Sequence, residues 1–234
     1  MDDLNMMQRI AVWALPVLFA ITVHEVAHGW IALRLGDKTA MMLGRLTLNP
    51  LKHIDPIGTV LLPLVMLMLG GFIFGWAKPV PVTWENLKHP KRDMALVAAA
   101  GPLANLMMVL LWALIFKVCL LLGDYLSFSI TLILLMCVAG ILINLLLMFF
   151  NLLPIPPLDG GRIMSSVLPS KLEWQYNRIE PYGILIILLL VTLMITQGIG
   201  SVFIMQIIVT SLTIIGNVIG VSPEILVNIF RFIL

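Results

Sequence analysis

Two histidines four residues apart, with a glutamate directly after the first, form the most chemically distinctive pattern in this 234-residue chain. They are His24, Glu25 and His28, and the spacing places both imidazoles on one face of a helix. The H-E-x-x-H arrangement is typical of zinc hydrolases, in which the histidines bind the metal and the glutamate acts as general base. Here it lies in an apolar run, where ionisable side chains are costly and rare. A metal site is therefore the first hypothesis, and two histidines buried only for packing are the alternative.

The composition indicates an integral membrane protein. Hydrophobic residues make up 61% of the chain and charged residues only 11%, which is outside the range of soluble globular domains. The net charge of +2, without a basic and aromatic-rich patch, argues against nucleic acid and leaves the lipid bilayer as the expected surrounding. No polar stretch is long enough for a soluble accessory domain. The start of the chain predicts a retained first helix and not a cleaved signal peptide.

The apolar runs predict an all-α integral membrane protein with about five to six transmembrane helices, because several exceed the roughly 18–20 residues that cross a bilayer. The predicted helices are 8–35, 92–123, 128–150, 182–197 and 201–219, followed by an interfacial helix after Pro223. Five crossings put most lysines and arginines on one side, which is expected to be cytoplasmic. We expect one polytopic domain, 1–234, with a catalytic core at 8–165 and C-terminal helices in 180–234.

Residues 40–83 predict an irregular, membrane-associated segment. Alternation around Met42–Leu48 indicates a short strand or hairpin, whose edge could pair with an unwound substrate or could be a plain surface hairpin. The apolar run 57–76 is interrupted by proline and glycine and has basic residues on both sides. If this run crossed the membrane, one of the two basic clusters would lie on the outer side, against the usual distribution of basic residues. The pattern therefore favours a re-entrant segment, which returns to the side from which it enters. A simple spanning helix is the alternative.

Catalytic zinc usually has three protein ligands and one open position, so a third ligand is needed. The candidates are His53, His89 and the carboxylates. Asp159 fits best, because it follows a proline-rich break at the end of an apolar run, where an unpaired carboxylate would be costly. It is also expected on the same membrane side as the two histidines. Its alternative role is the N-cap of a short helix that starts at Gly160.

Two motifs together resemble the site-2 protease family of intramembrane zinc metalloproteases, peptidase family M50. They are His24-Glu25-x-x-His28 and Asn151-x-x-Pro154-x-x-x-Leu158-Asp159-Gly160. The element Gly101-Pro102-x-x-Asn105 and the segment 44–59 are similar to members of that family as well. The similarity covers roughly residues 10–165.

The resemblance implies a three-helix catalytic core that holds one zinc ion per chain. It implies His24, His28 and Asp159 as the zinc ligands and Glu25 as the catalytic base. Asn151 matches the position that helps to hold the substrate or the oxyanion, and a membrane-embedded β segment within 40–83 presents the substrate. The chain resembles short, minimal members without a PDZ or CBS domain, embedded in the cell membrane as multi-pass proteins with the active site opening toward the cytoplasm.

The expected function is hydrolysis of peptide bonds within or near transmembrane segments of membrane proteins, for regulated intramembrane proteolysis or clearance of membrane remnants. The main alternative is a transporter or channel with an intramembrane ion site, which would explain broken helices and buried charge. A transporter does not require a glutamate beside the first histidine. Another class of membrane zinc protease and a catalytically silent scaffold are further alternatives. The substrate and the oligomeric state are left open.

Two more polar residues, Asn105 and Asn144, lie in predicted membrane helices. Buried amides of this kind usually hold helices together by hydrogen bonding. Contact with the substrate is the alternative for both.

Overall fold

The computed structural model describes residues 6–61, 77–122, 127–196 and 199–233. The α-helices are α1 (Met6–Leu35), α2 (Thr39–Met42), α3 (Pro90–Leu121), α4 (Ser127–Asn151), α5 (Asp159–Val167), α6 (Ser170–Asn177), α7 (Gly183–Thr196), α8 (Ile199–Ile219) and α9 (Pro223–Ile233). These described ranges contain no β-strand. The all-α fold is thus confirmed, and the five predicted membrane helices correspond to α1, α3, α4, α7 and α8.

Three helices in the described part of the chain are long and apolar enough to cross a membrane: α1, α3 and α4. They pack against one another in pairs, as the predicted three-helix core requires. The described part of α7 has 14 residues, and that of α8 includes the apolar stretch Ile204–Ile219; both are shorter than α1, α3 and α4.

The interior of the bundle contains apolar side chains from α1, α3 and α4, and the C-terminal helices add to it. Phe116 of α3 and Ile141 of α4 are fully buried. Leu226 and Phe230 of α9 are buried in the same cluster. The helix predicted at the membrane interface after Pro223 therefore packs its apolar face on the bundle.

The end of α1 is tied to the chain that precedes α3. The buried Asp37 accepts hydrogen bonds from the backbone N–H and hydroxyl of Thr39, from the Thr83 N–H and from the Asn86 amide. Lys88 N–H donates to the Leu35 carbonyl. These bonds hold residues 83–88 against the C-terminal end of α1, and they bring the preceding residues 77–82 alongside it.

The strand predicted at Met42–Leu48 is not present. Met42 ends the short helix α2, and residues 45–47 have no regular structure. The Arg45 guanidinium donates to the carbonyls of Lys78 and Pro79, so this loop does lie beside residues 77–82. A regular ladder cannot form between them, because Pro79 and Pro81 have no N–H to donate.

The predicted re-entrant run 57–76 falls mostly on residues that the structure does not describe. Its beginning belongs to a π-helical turn, Pro56–Leu61, and 62–76 lie outside the described residues. Re-entry at 57–76 therefore stays a prediction.

Candidate metal centre

The two histidines of α1 project toward α3 and are both buried. Their Nε2 atoms are 3.1 Å apart. On the far side of each ring, Nδ1 contacts α3: His28 Nδ1 donates to the Val97 carbonyl at 2.7 Å, and His24 Nδ1 lies 2.5 Å from the Asn105 side-chain oxygen. Because a carbonyl can only accept, the neutral His28 carries its hydrogen on Nδ1 and presents a lone pair on Nε2.

Asp159 reaches the histidines because the chain reverses after α4. Three prolines between Asn151 and Asp159 prevent the helix from continuing, and α5 then begins at Asp159. Gly160 allows the close packing of this turn, since a Cβ there would lie 2.2 Å from the Leu152 carbonyl oxygen. The N-cap of α5 is Leu158, so the alternative role of Asp159 as the N-cap residue is not borne out.

The three side chains converge on one point. Asp159 Oδ2 lies 3.3 Å from His24 Nε2 and 3.4 Å from His28 Nε2. Tetrahedral zinc with bonds of roughly 2.0–2.2 Å holds its ligand atoms about 3.3 Å apart. Asp159 Oδ2 is also buried without a hydrogen-bond partner, which a cation at this point would satisfy. The donor set and its spacing therefore fit a zinc ion.

The other candidates for the third ligand lie elsewhere. His53 is buried, but its Nε2 contacts the Thr47 carbonyl at 2.9 Å. His89 is exposed just before α3. Among the described residues, the group His24, His28 and Asp159 is the single cluster of three histidine, cysteine or carboxylate side chains with metal-site spacing.

A cleft of about 350 Å³ opens beside these residues. Glu25 lines it, and Glu25 Oε2 accepts a 2.7 Å hydrogen bond from the Val80 backbone N–H. Residues 79–82 form one wall. The irregular segment 79–82 thus runs past the carboxylate that the sequence predicts as the general base.

Asn151 lines the same cleft from the last turn of α4. Its side-chain nitrogen donates to the Leu147 carbonyl at 2.9 Å. This bond uses one of the two amide hydrogens and fixes the side chain, while the second hydrogen and the oxygen remain to contact a ligand.

Several contacts of the site were not predicted from sequence. The Val80 N–H at Glu25 and the Val97 carbonyl at His28 are backbone groups, which no residue pattern reveals. The contact of Asn105 with His24 has a partial signal in the sequence, because Gly101-Pro102-x-x-Asn105 resembles an element of the site-2 protease family. Asn144 was expected to join helices, and it accepts a hydrogen bond from Asn105 at 2.9 Å.

Comparison with known proteins identifies relatives over most of the chain. A family model described as "Peptidase family M50" matches residues 124–195. "Putative zinc metalloprotease YwhC" of Bacillus subtilis is 38% identical over 179 residues, which cover 74% of this chain and 77% of that protein. The chain belongs to peptidase family M50.

More distant relatives match as well. "Putative zinc metalloprotease Rip2" of Mycolicibacterium smegmatis is 29% identical over 214 residues, or 86% of this chain and 74% of that protein. The protein of the same name in Mycobacterium tuberculosis H37Rv is 30% identical over 175 residues, or 74% and 63% respectively. No solved structure gives a significant match.

Membership of family M50 confirms the resemblance to the site-2 proteases and the expected peptidase function. The transporter alternative is not favoured. The matched region 124–195 contains Asn151 and Asp159, while the two histidines and Glu25 lie before it.

Proposed function

We propose that this M50 peptidase is an intramembrane zinc metalloprotease in which one zinc ion is held by His24, His28 and Asp159. The observation that carries the proposal is the convergence of two Nε2 atoms and one carboxylate oxygen within 3.1–3.4 Å of one another. The names of the relatives, which are zinc metalloproteases, support the choice of metal. Zinc bound there would polarise the scissile carbonyl and lower the pKa of a bound water toward about 7.

Glu25 is the general base in this proposal. Its carboxylate lines the cleft beside the three ligands, and the bond from Val80 N–H to Oε2 fixes its orientation. Oε1 is then available to accept the proton of the attacking water and to return it to the amine of the leaving peptide. Asn151, on the same cleft, donates its remaining amide hydrogen to the developing oxyanion.

The substrates are transmembrane segments of membrane proteins. The exposed surfaces of α1, α3 and α4 carry large apolar side chains, as expected of helices in contact with lipid. A substrate helix must unwind before its carbonyls can be attacked. Residues 40–83 would present the unwound stretch, since residues 79–82 form a wall of the cleft and contact Glu25 through Val80.

The site opens toward the cytoplasm in this proposal, and the chain is a multi-pass protein of the cell membrane. The site lies in the half of α1 that has Arg34 in its last turn and in the half of α3 that has Lys91 and Arg92 in its first turn. Basic residues concentrate at cytoplasmic ends of membrane helices. We propose five crossings within one polytopic domain, 1–234, in which 8–165 form the catalytic core, 57–76 re-enter and 180–234 contribute the C-terminal helices.

The direct test is proteolysis in liposomes that contain the purified full-length chain and a single-span substrate. Cleavage within or near the span is expected, and it should be lost on treatment with a zinc chelator and restored by added zinc. The same liposomes should show no flux of zinc or protons. Ion flux without cleavage would overturn the proposal in favour of a transporter, and cleavage unaffected by zinc removal would exclude the metal mechanism.

A further inference from the structure

A chain of buried amides leads away from the metal centre through the bundle. His24 Nδ1 lies against Asn105 Oδ1, Asn105 Nδ2 donates to Asn144 Oδ1 at 2.9 Å, and Asn144 Nδ2 donates to the Gly140 carbonyl at 2.8 Å. Both asparagines are fully buried. The chain links α1 to α3 and α3 to α4, and none of its members other than His24 belongs to the proposed ligand set.

The direction of these hydrogen bonds is fixed at the Gly140 end. A backbone carbonyl can only accept, so Asn144 must turn its nitrogen toward Gly140 and its oxygen toward Asn105. Asn105 then has to donate to that oxygen, which leaves its own oxygen facing His24. An amide oxygen can only accept, and His24 must therefore donate from Nδ1.

The orientation of the amides decides which nitrogen of His24 has a free lone pair. A neutral imidazole that carries its hydrogen on Nδ1 presents the lone pair on Nε2, and Nε2 is the atom that faces His28 and Asp159. If the Asn105 amide turned over, its NH₂ group would meet Nδ1 and favour the hydrogen on Nε2, where it would oppose a metal. Groups that orient a ligating histidine in this way raise metal affinity.

We infer that Asn105, itself oriented by Asn144, is a positioning residue that holds His24 in the tautomer with the hydrogen on Nδ1 and directs its Nε2 lone pair at the metal. This inference rests on the proposed zinc site. The sequence predicts that the two amides hold helices together, and this inference assigns them a second role at the metal site. Asn144 does not touch the site, and it is expected to influence metal binding through Asn105.

The test is the zinc dissociation constant of the full-length protein in detergent, measured by competition with a chelator. Asn105→Leu removes the acceptor for His24 and is expected to weaken zinc binding by roughly 10–100-fold. Asn105→Ser keeps a side-chain oxygen that can accept from Nδ1 and a hydroxyl hydrogen that can be donated to Asn144 Oδ1, and it is expected to bind zinc more tightly than Asn105→Leu. If Asn105 served helix packing alone, leucine would be the milder change inside an apolar bundle, and the order of the two variants would be reversed.

Asn144 is tested through its dependence on Asn105. Asn144→Leu lets the Asn105 amide turn over, and a loss of affinity on the order of tenfold is expected. In the Asn105→Leu background no amide is left for Asn144 to orient, so adding Asn144→Leu should leave zinc affinity unchanged. Such non-additivity is the signature of two residues acting through one contact. Asn217→Leu, an exposed amide on α8, is the matched control, and thermal unfolding verifies that each variant is folded.

The outcomes separate this inference from the proposed function. Zinc binding by the wild type together with equal affinity for Asn105→Leu, or an equal effect of Asn144→Leu in both backgrounds, would overturn the inference alone. A wild-type protein that takes up no zinc would overturn the proposed function and the inference with it.

Discussion

Gly101 of α3 lies directly against His28. A Cβ built on Gly101 would be 2.4 Å from His28 Nε2 and 2.5 Å from His24 Cε1, much closer than van der Waals contact allows. The backbone of α3 therefore approaches the metal centre more closely than any residue with a side chain would permit. The sequence predicts that the small residues 98–101 serve helix packing. Gly101, the last of them, has the more specific role of leaving room for the two histidines.

The first prediction concerns this contact. Gly101→Ala should displace both imidazoles and so lower zinc occupancy and proteolysis, the latter by about 100-fold or more, because a misplacement of about 1 Å has effects of that size. Zinc content and cleavage in liposomes measure the change. Leu103→Ala, an exposed position on the same helix, should behave as the wild type. Unchanged zinc binding in Gly101→Ala would show that the histidines have more room than the structure indicates.

The second prediction separates the base from the metal ligands. In Glu25→Gln an oxygen can still accept from Val80 N–H, so the geometry of the site should be retained while the proton acceptor is lost. Cleavage should fall by about 10²–10⁴-fold with the zinc content unchanged. Glu85→Gln, an exposed glutamate near the same segment, is the control. Full turnover in Glu25→Gln would remove Glu25 from its proposed role.

The third prediction tests Asn151 as the oxyanion donor. Asn151→Ala should reduce kcat by about 10²–10³-fold, the usual effect of removing one such donor, and should leave the zinc content intact. Steady-state cleavage in liposomes and elemental analysis provide the two readouts. A loss of zinc, or a kcat equal to that of the wild type, would contradict the assignment.

The fourth prediction follows from the charge of Asp37, outside the membrane helices. Burial favours the neutral acid, but hydrogen bonds from Thr39, Asn86 and the Thr83 backbone outweigh it and hold the pKa of Asp37 below its ordinary value of 3.8. Because the folded pKa is lowered, the carboxylate stabilises the fold above about pH 3.8, and this contribution is lost as the pH falls through the lower folded pKa.

Asp37→Asn should therefore lower Tm by a few degrees at neutral pH, on the order expected for one charged hydrogen bond. The difference from the wild type should shrink as the pH falls through the folded pKa of Asp37. Thermal unfolding in detergent between pH 2 and 7 measures both effects, with Glu85→Gln as the control. A difference that stays constant across this range would exclude the ionised form as the stabilising species.

The long helices were predictable because each is a continuous apolar run with a clear stop. The helix predicted at 8–35 is Met6–Leu35 in the structure, and the one predicted at 128–150 is Ser127–Asn151. The pairing of His24 and His28 followed from the helical period alone. The choice of Asp159 followed from the cost of an unpaired carboxylate in an apolar setting, and the structure places it beside both histidines.

The parts that could not be predicted depend on long-range contacts between polar groups. The alternation at 42–48 is typical of a strand, but the adjacent residues 77–82 contain two prolines that cannot pair with one. The direction of the Asn105 and Asn144 hydrogen bonds depends on the Gly140 carbonyl, and a backbone group leaves no trace in residue types. The bond from Val80 N–H to Glu25 joins residues 55 positions apart, and its donor is a backbone group that no residue pattern reveals.

The central claim is that Asp159 completes a zinc site with the two histidines of α1. The most direct measurement is the zinc content per chain of purified wild type and Asp159→Asn, dialysed against the same zinc concentration. We predict one zinc per wild-type chain and much less in Asp159→Asn, because the amide lacks the negative charge of the third ligand. Equal zinc in the two proteins, or none in the wild type, would contradict the account.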